Sequence, residues 1–415
     1  MNRPKQLWRK QPEMWRRLVL GVIGRIRGGR IDLVENGRIT ILGDRHSELK
    51  ATVTVNSPRL WRQMLRGSTG MGESYMDGDW DCDDLVALST IAGLNLHRLD
   101  RTRRPFQFIT GRVQRLGLLM PRTTRSRGKK QIAAHYDLGN DLFELFLDRS
   151  MNYSAAIFPD GDEDLETAQI LKMDQIAEQL ELGPGVHVLE VGTGWGGLSM
   201  HLVERTGCRV TTTTISHEQA VLARERIEAA GLSDSIEVLE SDYRDLTGTY
   251  DRLVSIEMIE AVGWKDFPTY FSKCSDLLKP DGAMLLQAIT IDDDAYDLEK
   301  ASRSFISHYI FPGGCLPSVR EIERCLAEET DMETSWTADL GLDYATTLAI
   351  WRERFMAATD QLDALGYDDR FRRMWVLYLT FAEGGFRSRR NGDFQMLLAK
   401  PRFSRIRKRV REAAV

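Results

Sequence analysis

Val186-His187-Val188-Leu189-Glu190-Val191-Gly192-Thr193-Gly194-Trp195-Gly196-Gly197 is the stretch that decides the fold. It reads as a buried strand, a glycine-rich turn and the start of a helix. Apolar residues fill the strand and Glu190 stands at its end. Gly192, Gly194 and Gly196 let the backbone bend tightly and come close to a ligand. The following helix offers unpaired N–H groups to a polar or anionic group. Such a turn is weak evidence alone, because glycine turns also serve packing. A dinucleotide-binding unit would carry an acid about 20 residues further on, for the ribose. Here the next strand ends in Thr212-Thr213-Thr214-Ile215-Ser216 instead. An acid on the first strand and hydroxyls on the second favour S-adenosylmethionine (SAM) over NAD.

Working outward, strand and helix patterns alternate. Strands are predicted at 186–191, 208–215, 235–240, 250–256 and 282–290, with helices at about 196–206, 216–230 and 266–279. This alternation predicts an α/β, Rossmann-like, doubly wound parallel sheet with its ligand at the carboxyl ends of the strands. Residues 295–385 break the pattern with helical, aromatic-rich sequence. That insertion is expected to roof the sheet edge and build an apolar substrate channel, although Trp351, Phe355, Met374, Trp375, Tyr378 and Phe381 are most simply core.

The length, 415 residues, suggests two domains. Residues 1–100 read as a small α/β unit. Arg30–Leu42 and Ala51–Val55 alternate as strands, Asn36-Gly37 signals a hairpin turn, and Asp84–Gly93 reads as a helix. Residues 101–130 read as a basic linker, 131–403 as the catalytic domain and 404–415 as a basic tail.

The net charge of −5 conceals an asymmetry. Residues 1–30 hold nine Lys/Arg and one Glu, residues 101–130 ten and no acid, and residues 400–415 seven and one Glu. The stretch 131–399 carries 23 basic and 48 acidic residues. Such an acidic body would repel a phosphate backbone, so nucleic acid is not the expected partner. An anionic membrane surface is, since each nearby Lys or Arg adds about 1 kcal/mol. Met14–Arg25 interleaves tryptophan and aliphatics with arginine, which suits an interfacial helix or one docked on its own domain. No stretch approaches the ~18–20 apolar residues of a membrane span. No signal-peptide core is apparent. The five cysteines show no CxxC spacing, so neither a disulfide framework nor a zinc site is indicated. The expectation is a cytoplasmic protein associated peripherally with membrane.

If the sheet reading holds, the informative residues follow the strands. Ser216 and Gln219 fit an S-x-x-Q capping box, and Gln219 is also placed to turn to a ribose. Asp242-Tyr243 follow the third strand, where an adenine can be bonded and stacked. Glu257 and Glu260 follow the fourth. Carboxylates in an apolar run are costly unless paired, and in a cleft they make candidate bases or cation stabilisers. Glu260 is the stronger functional candidate, with structure and function evenly weighed for Glu257. His135, in Ala134-His135-Tyr136-Asp137, is evenly weighed between a structural residue and a base.

Together these segments resemble the cyclopropane-fatty-acyl-phospholipid synthase family. The matching runs are AAHYDLGNDLF (133–143), YSAAIF (153–158), VLEVGTGWGG (188–197), TTTISHEQ (212–219), SDYRDL (241–246), YDRLVSIEMIEAVG (250–263), YIFPGGCLPS (309–318) and WRERF (351–355). GESYMDGDW (72–80) resembles part of that family's N-terminal lipid-binding domain. Several motifs in one order are specific where each alone is not.

The resemblance implies SAM-dependent transfer of a methyl group to the cis double bond of a phospholipid acyl chain, through a carbocation. It implies SAM contacts at Tyr153, Ser154, Gly192, Gly194, Thr214, Gln219 and Tyr243, to which the strand-end reading adds Glu190, Gly196 and Asp242. It places Glu260 as a stabilising carboxylate and Tyr309 as an aromatic face for the cation. It also implies a bicarbonate base held by Cys, Glu, His and Tyr, and frequently a homodimer. Only the Glu matches, as Glu260. The other positions read as Ala155, Gln287 and Arg352, of which Gln287 can donate and accept and Arg352 can clamp an anion. The product is therefore a cyclopropane or, with a changed deprotonation, a methylene- or methyl-branched chain. A methyltransferase of a small soluble acceptor and a non-catalytic lipid binder are the readings from other classes.

Overall fold

The computed structural model describes residues 4–103, 139–301 and 304–404. His135, the linker from residue 104 and the tail from residue 405 lie outside them. A first sheet is built from β1 (Arg30–Glu35), β2 (Arg38–Gly43), β3 (Lys50–Val55) and β4 (Trp80–Cys82), in the order β2-β1-β3-β4. Asn36 and Gly37 both take positive φ, 49° and 74°, as a two-residue hairpin turn requires. The turn sets Glu35 opposite Arg38. Ile31 and Leu33 then fall on the buried face.

The helix Leu85–Arg103 packs on β3 and, on its other side, on the helix Asp369–Arg387. The two helices approach closely because Gly384 faces Ser89: a Cβ at Gly384 would stand 2.5 Å from the Ser89 Cβ. One hydrophobic cluster runs from Trp61, Trp80 and Ile91 through Phe305 to Phe143, Trp351 and Trp375. The N-terminal sheet and the helical roof thus share a core.

The second sheet contains β5 (His187–Val191), β6 (Arg209–Thr214), β7 (Ile236–Glu240), β8 (Tyr250–Ile256), β9 (Leu278–Ile291), β10 (Glu333–Asp339) and β11 (Asn391–Ala399). Its order is β10-β11-β9-β8-β5-β6-β7. Strands β5 to β9 pair in parallel. The intervening helices Gly197–Thr206, His217–Ala229 and Phe267–Asp276 lie close to their predicted limits. The five strands read from the sequence form the expected parallel sheet, and two further strands extend one edge, where β11 pairs antiparallel with β9 and β10 with β11. The reason lies in the 295–385 insertion. It leaves from the carboxyl end of β9 and returns to that end, so Asn391 starts opposite Ile291 and β11 must run back.

The chain leaves β5 to one side for β6 and β7, and later builds β8 and β9 on the other. The sheet therefore switches direction between β5 and β8, where open α/β sheets place their ligands.

Candidate active site

At the carboxyl end of β5 the glycine turn is pinned to β6. The N–H groups of Gly192 and Thr193 donate to the Thr213 carbonyl at 3.0 and 3.1 Å. Gly192 has φ 107°, a region closed to other residues, and a Cβ there would press on Met258 at 3.3 Å. Gly194 (φ 51°) and Gly196 (φ 82°) complete the cradle. The buried threonines of β6 tie the neighbouring turns together. Thr212 Oγ1 donates to Thr193 Oγ1 at 2.8 Å, and Thr213 Oγ1 to the Ser241 carbonyl at 2.6 Å.

Ser216 caps its helix, accepting the Gln219 N–H at 3.3 Å. The reciprocal half of the capping box does not form. The Ser216 N–H goes to Thr214 Oγ1 at 3.1 Å, and that hydroxyl donates to Gln219 Oε1 at 2.9 Å. Thr214 and Gln219 thus stand side by side at the end of β6. Tyr243 lies edge-on to Tyr270 at 5.5 Å, and its buried hydroxyl has no partner among the described residues.

Two expected cofactor contacts turn elsewhere. Glu190 is buried and accepts a hydrogen bond from Ser199 Oγ, on the helix after the turn. Burial pushes its carboxyl up to about 7. Asp242 accepts from its neighbour Arg244, through the backbone N–H at 3.0 Å, Nε at 2.8 Å and Nη2 at 2.6 Å. It shapes the turn that presents Tyr243. The short polar runs after strands bond locally, and that competition is what the strand-end reading missed.

Tyr153-Ser154-Ala155 is joined to the glycine turn through Phe143, whose ring lies 5.2 Å from Tyr153 and 5.0 Å from Trp195. The Tyr153 and Tyr378 hydroxyls are 2.7 Å apart. Ser154 Oγ accepts from the buried Lys172 Nζ at 2.7 Å, and its carbonyl from Gln169 Nε2 at 3.0 Å. Around them stands an aromatic wall: Tyr153 lies 5.2 Å from both Phe143 and Trp351, and Trp375 lies 5.3 Å from Tyr378.

The carboxylates after β8 meet this wall. Glu257 Oε1 accepts the Ala155 N–H and Gln287 Nε2, each at 2.8 Å, and its Oε2 accepts the Tyr344 hydroxyl at 2.6 Å. Glu260 Oε1 accepts the Ile289 N–H, and its buried Oε2 has no partner among the described residues. The Glu260 carbonyl accepts the Cys315 N–H at 2.9 Å, which anchors the Phe311–Pro317 loop. Gln287 reaches Asp393 Oδ2 at 3.0 Å and accepts Gln395 Nε2, the residue paired with it across β9 and β11.

Burial raises Glu257, Glu260 and Asp393, with Glu260 pushed up to about 8. Three donors and the charge of Lys172 oppose that rise at Glu257. Burial draws Lys172 down to about 8, against the pull of Glu257. Three donors converge on Glu257 and a single backbone N–H from β9 reaches Glu260, so the geometry favours the negative charge on Glu257, with Lys172 buried nearby as counter-charge.

The donor set thus points to Glu257, rather than the sequence candidate Glu260, as the better-held carboxylate. Two further assignments are corrected. Arg352 pairs with the buried Glu383 at 3.3 Å, so its fork is turned to that carboxylate. The Tyr309 hydroxyl donates to Glu73 at 3.2 Å, across to the N-terminal unit. Tyr344, Lys172 and Asp393 were missed. Tyr344 heads the stripe Tyr344-Leu348-Trp351-Phe355, spaced as one helical face, and all four are buried. Arg352 lies off that stripe. Lys172 likewise sits among Ala168, Gln169, Met173 and Ile176 on the buried face of Leu165–Gln179.

The glycine cradle, the Thr214–Gln219 pair and the unsatisfied Tyr243 hydroxyl fit SAM. The residues around Ala155 do not fit bicarbonate. Gln287 is committed to Glu257 and Asp393, and Arg352 to Glu383.

The sequence profile described as mycolic acid cyclopropane synthetase matches residues 123–396. The chain belongs to that family. It is similar to the cyclopropane-fatty-acyl-phospholipid synthase of Escherichia coli, at 41% identity over 345 residues, 82% of this chain and 85% of that one. It is also similar to the tuberculostearic acid methyltransferase UfaA1 of Mycobacterium tuberculosis, at 40% over 329 residues, 78% and 76% of the two chains. Among solved structures it resembles the Mycobacterium tuberculosis cyclopropane synthase MmaA2, with TM-score 0.61 and 30% identity over 66% of this chain and 98% of that one. CmaA1 complexed with SAH and CTAB matches with TM-score 0.61, 32% identity and the same coverage. This family member is a SAM-dependent methyltransferase of lipid biosynthesis.

Proposed function

We propose that this enzyme transfers methyl from SAM to the cis double bond of an unsaturated phospholipid acyl chain and closes a cyclopropane there. The observation that carries the reading is a buried carboxylate held among aromatic rings beside the glycine cradle. SAM supplies an electrophilic methyl group. The alkene needs no base to attack it, but the chain is left with a cation. Such a site must keep water out, stabilise positive charge and accept one proton. The rings of Tyr153 and Trp351 and the Glu257 carboxylate suit those tasks. A hydroxyl or amine acceptor would instead need a polar pocket with a placed base.

A second reading shares every step up to the cation and ends in a methylene- or methyl-branched chain. The similarity to a tuberculostearic acid methyltransferase favours it.

Delivery from an anionic membrane surface belongs to the same proposal. A cavity of about 900 Å³ lies between the N-terminal sheet and the roof, lined by Ile31, Trp61, Trp80, Phe305 and Phe381, with Arg25 and Arg27 also on its lining. Met14 and Leu18 on the helix Pro4–Ile23 are 48% and 53% exposed. No helix among the described residues is long and apolar enough to cross a membrane. A cytoplasmic location and a homodimer complete the proposal, the latter tested by light scattering.

Release of S-adenosylhomocysteine tests the reaction class. The reading expects release with vesicles of unsaturated phospholipid and none with saturated vesicles. Release with soluble amines or hydroxyl compounds alone would overturn it.

A further inference from the structure

We propose that the Glu257 carboxylate is the built-in base of this site and stands where a bound bicarbonate would otherwise take the proton. The inference rests on the acyl-chain reading above.

Position comes first. Glu257 is the residue after β8, at the sheet's switch point. Its φ is 49°, a left-handed conformation uncommon for a glutamate and held here by the surroundings. The Glu257 N–H donates to the Gln287 carbonyl at 2.8 Å, so backbone and side chain are both tied to β9.

Charge comes next. Ala155 N–H, Gln287 Nε2 and Tyr344 Oη converge on one carboxylate, as donors would around a bound oxyanion. Lys172 is buried nearby as counter-charge. Glu260 and Asp393 have fewer donors to hold a charge, and burial raises both, so Glu257 is the better-placed base. A free anion in the same place would meet donors already committed and a second negative charge.

The step balances. The alkene π pair bonds to the incoming methyl carbon as the carbon–sulfur bond breaks, and sulfur keeps that pair. The neighbouring chain carbon is left positive. A C–H pair of the new methyl closes the ring onto that carbon, and its proton passes to a Glu257 oxygen. Glu257 becomes neutral and returns the proton to solvent when product leaves.

The test combines binding and turnover. ¹³C NMR with labelled bicarbonate should show no bound signal on the wild-type protein, with or without SAM. Glu257→Gly suits the positive φ and vacates the carboxylate's space, so it should bind the label. Turnover of the wild type on unsaturated vesicles should be equal with and without bicarbonate. Glu257→Gln should lose about 10²–10⁴-fold in turnover while keeping SAM affinity, and formate or bicarbonate should restore part of the activity of Glu257→Gly. Bicarbonate bound to the wild type, a bicarbonate-dependent rate, or Glu257→Gln within about threefold of wild type would each overturn the proposal. A wild type inactive on vesicles would count against the acyl-chain reading, and the binding contrast with Glu257→Gly would still decide this one.

Discussion

The Tyr344 hydroxyl donates to Glu257 Oε2 at 2.6 Å, joining the helical roof to the carboxyl end of β8. Tyr344 comes from the Gly341–Ala357 helix and Glu257 from the sheet's switch point, 87 residues apart in sequence. The bond ties the roof to the sheet and favours the charged form of a buried carboxylate.

Replacing Tyr344 with Phe removes one donor from an ionised acceptor, a bond worth about 1.5–3 kcal/mol. Turnover should fall about 10- to 100-fold, with SAM affinity unchanged. Burial already raises Glu257, and Tyr344, the Ala155 N–H, Lys172 and Gln287 pull it back. Losing Tyr344 lets it rise further, so the acidic limb of the pH–rate profile should move to higher pH. An unmoved limb would show that Glu257 is not the group that must be deprotonated.

Glu190 is a buried carboxylate whose titration bears on stability. Its carboxyl is raised from 4.5 to about 7 in the folded chain, chiefly by burial. As pH rises, the unfolded chain gives up this proton first. Stability is therefore full below about 4.5, falls through the window up to about 7, and is flat above it; the loss is of order 3 kcal/mol. Glu190→Gln keeps an acceptor for Ser199 and cannot titrate. Denaturant titrations on both sides of the window should show a smaller pH-dependent loss than wild type.

Arg25 and Arg27 line the N-terminal cavity, and Asn95 holds the Arg27 backbone through its N–H and carbonyl at 2.9 Å each. Serine at both positions leaves those backbone bonds in place. Vesicle flotation at low salt should show about 30-fold weaker binding to anionic lipid, at about 1 kcal/mol per charge, with SAM affinity unchanged. Equal binding would place the membrane contact elsewhere.

Much of this was legible in the sequence because it is periodic or local. The glycine turn after β5 carries its own backbone demand, and strand–helix alternation placed β5 to β9 and their helices. The antiparallel β10–β11 edge was not legible, because it depends on where a long insertion returns. Residues after strands were located correctly, but Glu190 and Asp242 found partners within a few turns, which spacing does not reveal. Tyr344 and Lys172 were hidden for the opposite reason. Each interrupts an apolar stripe with one polar group, and its partner lies on a distant strand or loop. The Glu257–Glu260 pair was visible as unusual, yet which of the two holds the charge depends on donors from residues 155, 287 and 344.

The most direct measurement is the product itself. Purified protein, SAM and vesicles of unsaturated phospholipid would be incubated, and the lipid analysed by mass spectrometry and proton NMR. The account predicts a gain of one CH₂ per acyl chain, loss of the alkene protons and new cyclopropyl protons. An exocyclic methylene signal with the same mass gain would contradict ring closure while keeping the methyl transfer. No mass gain despite bound SAM would contradict the account as a whole.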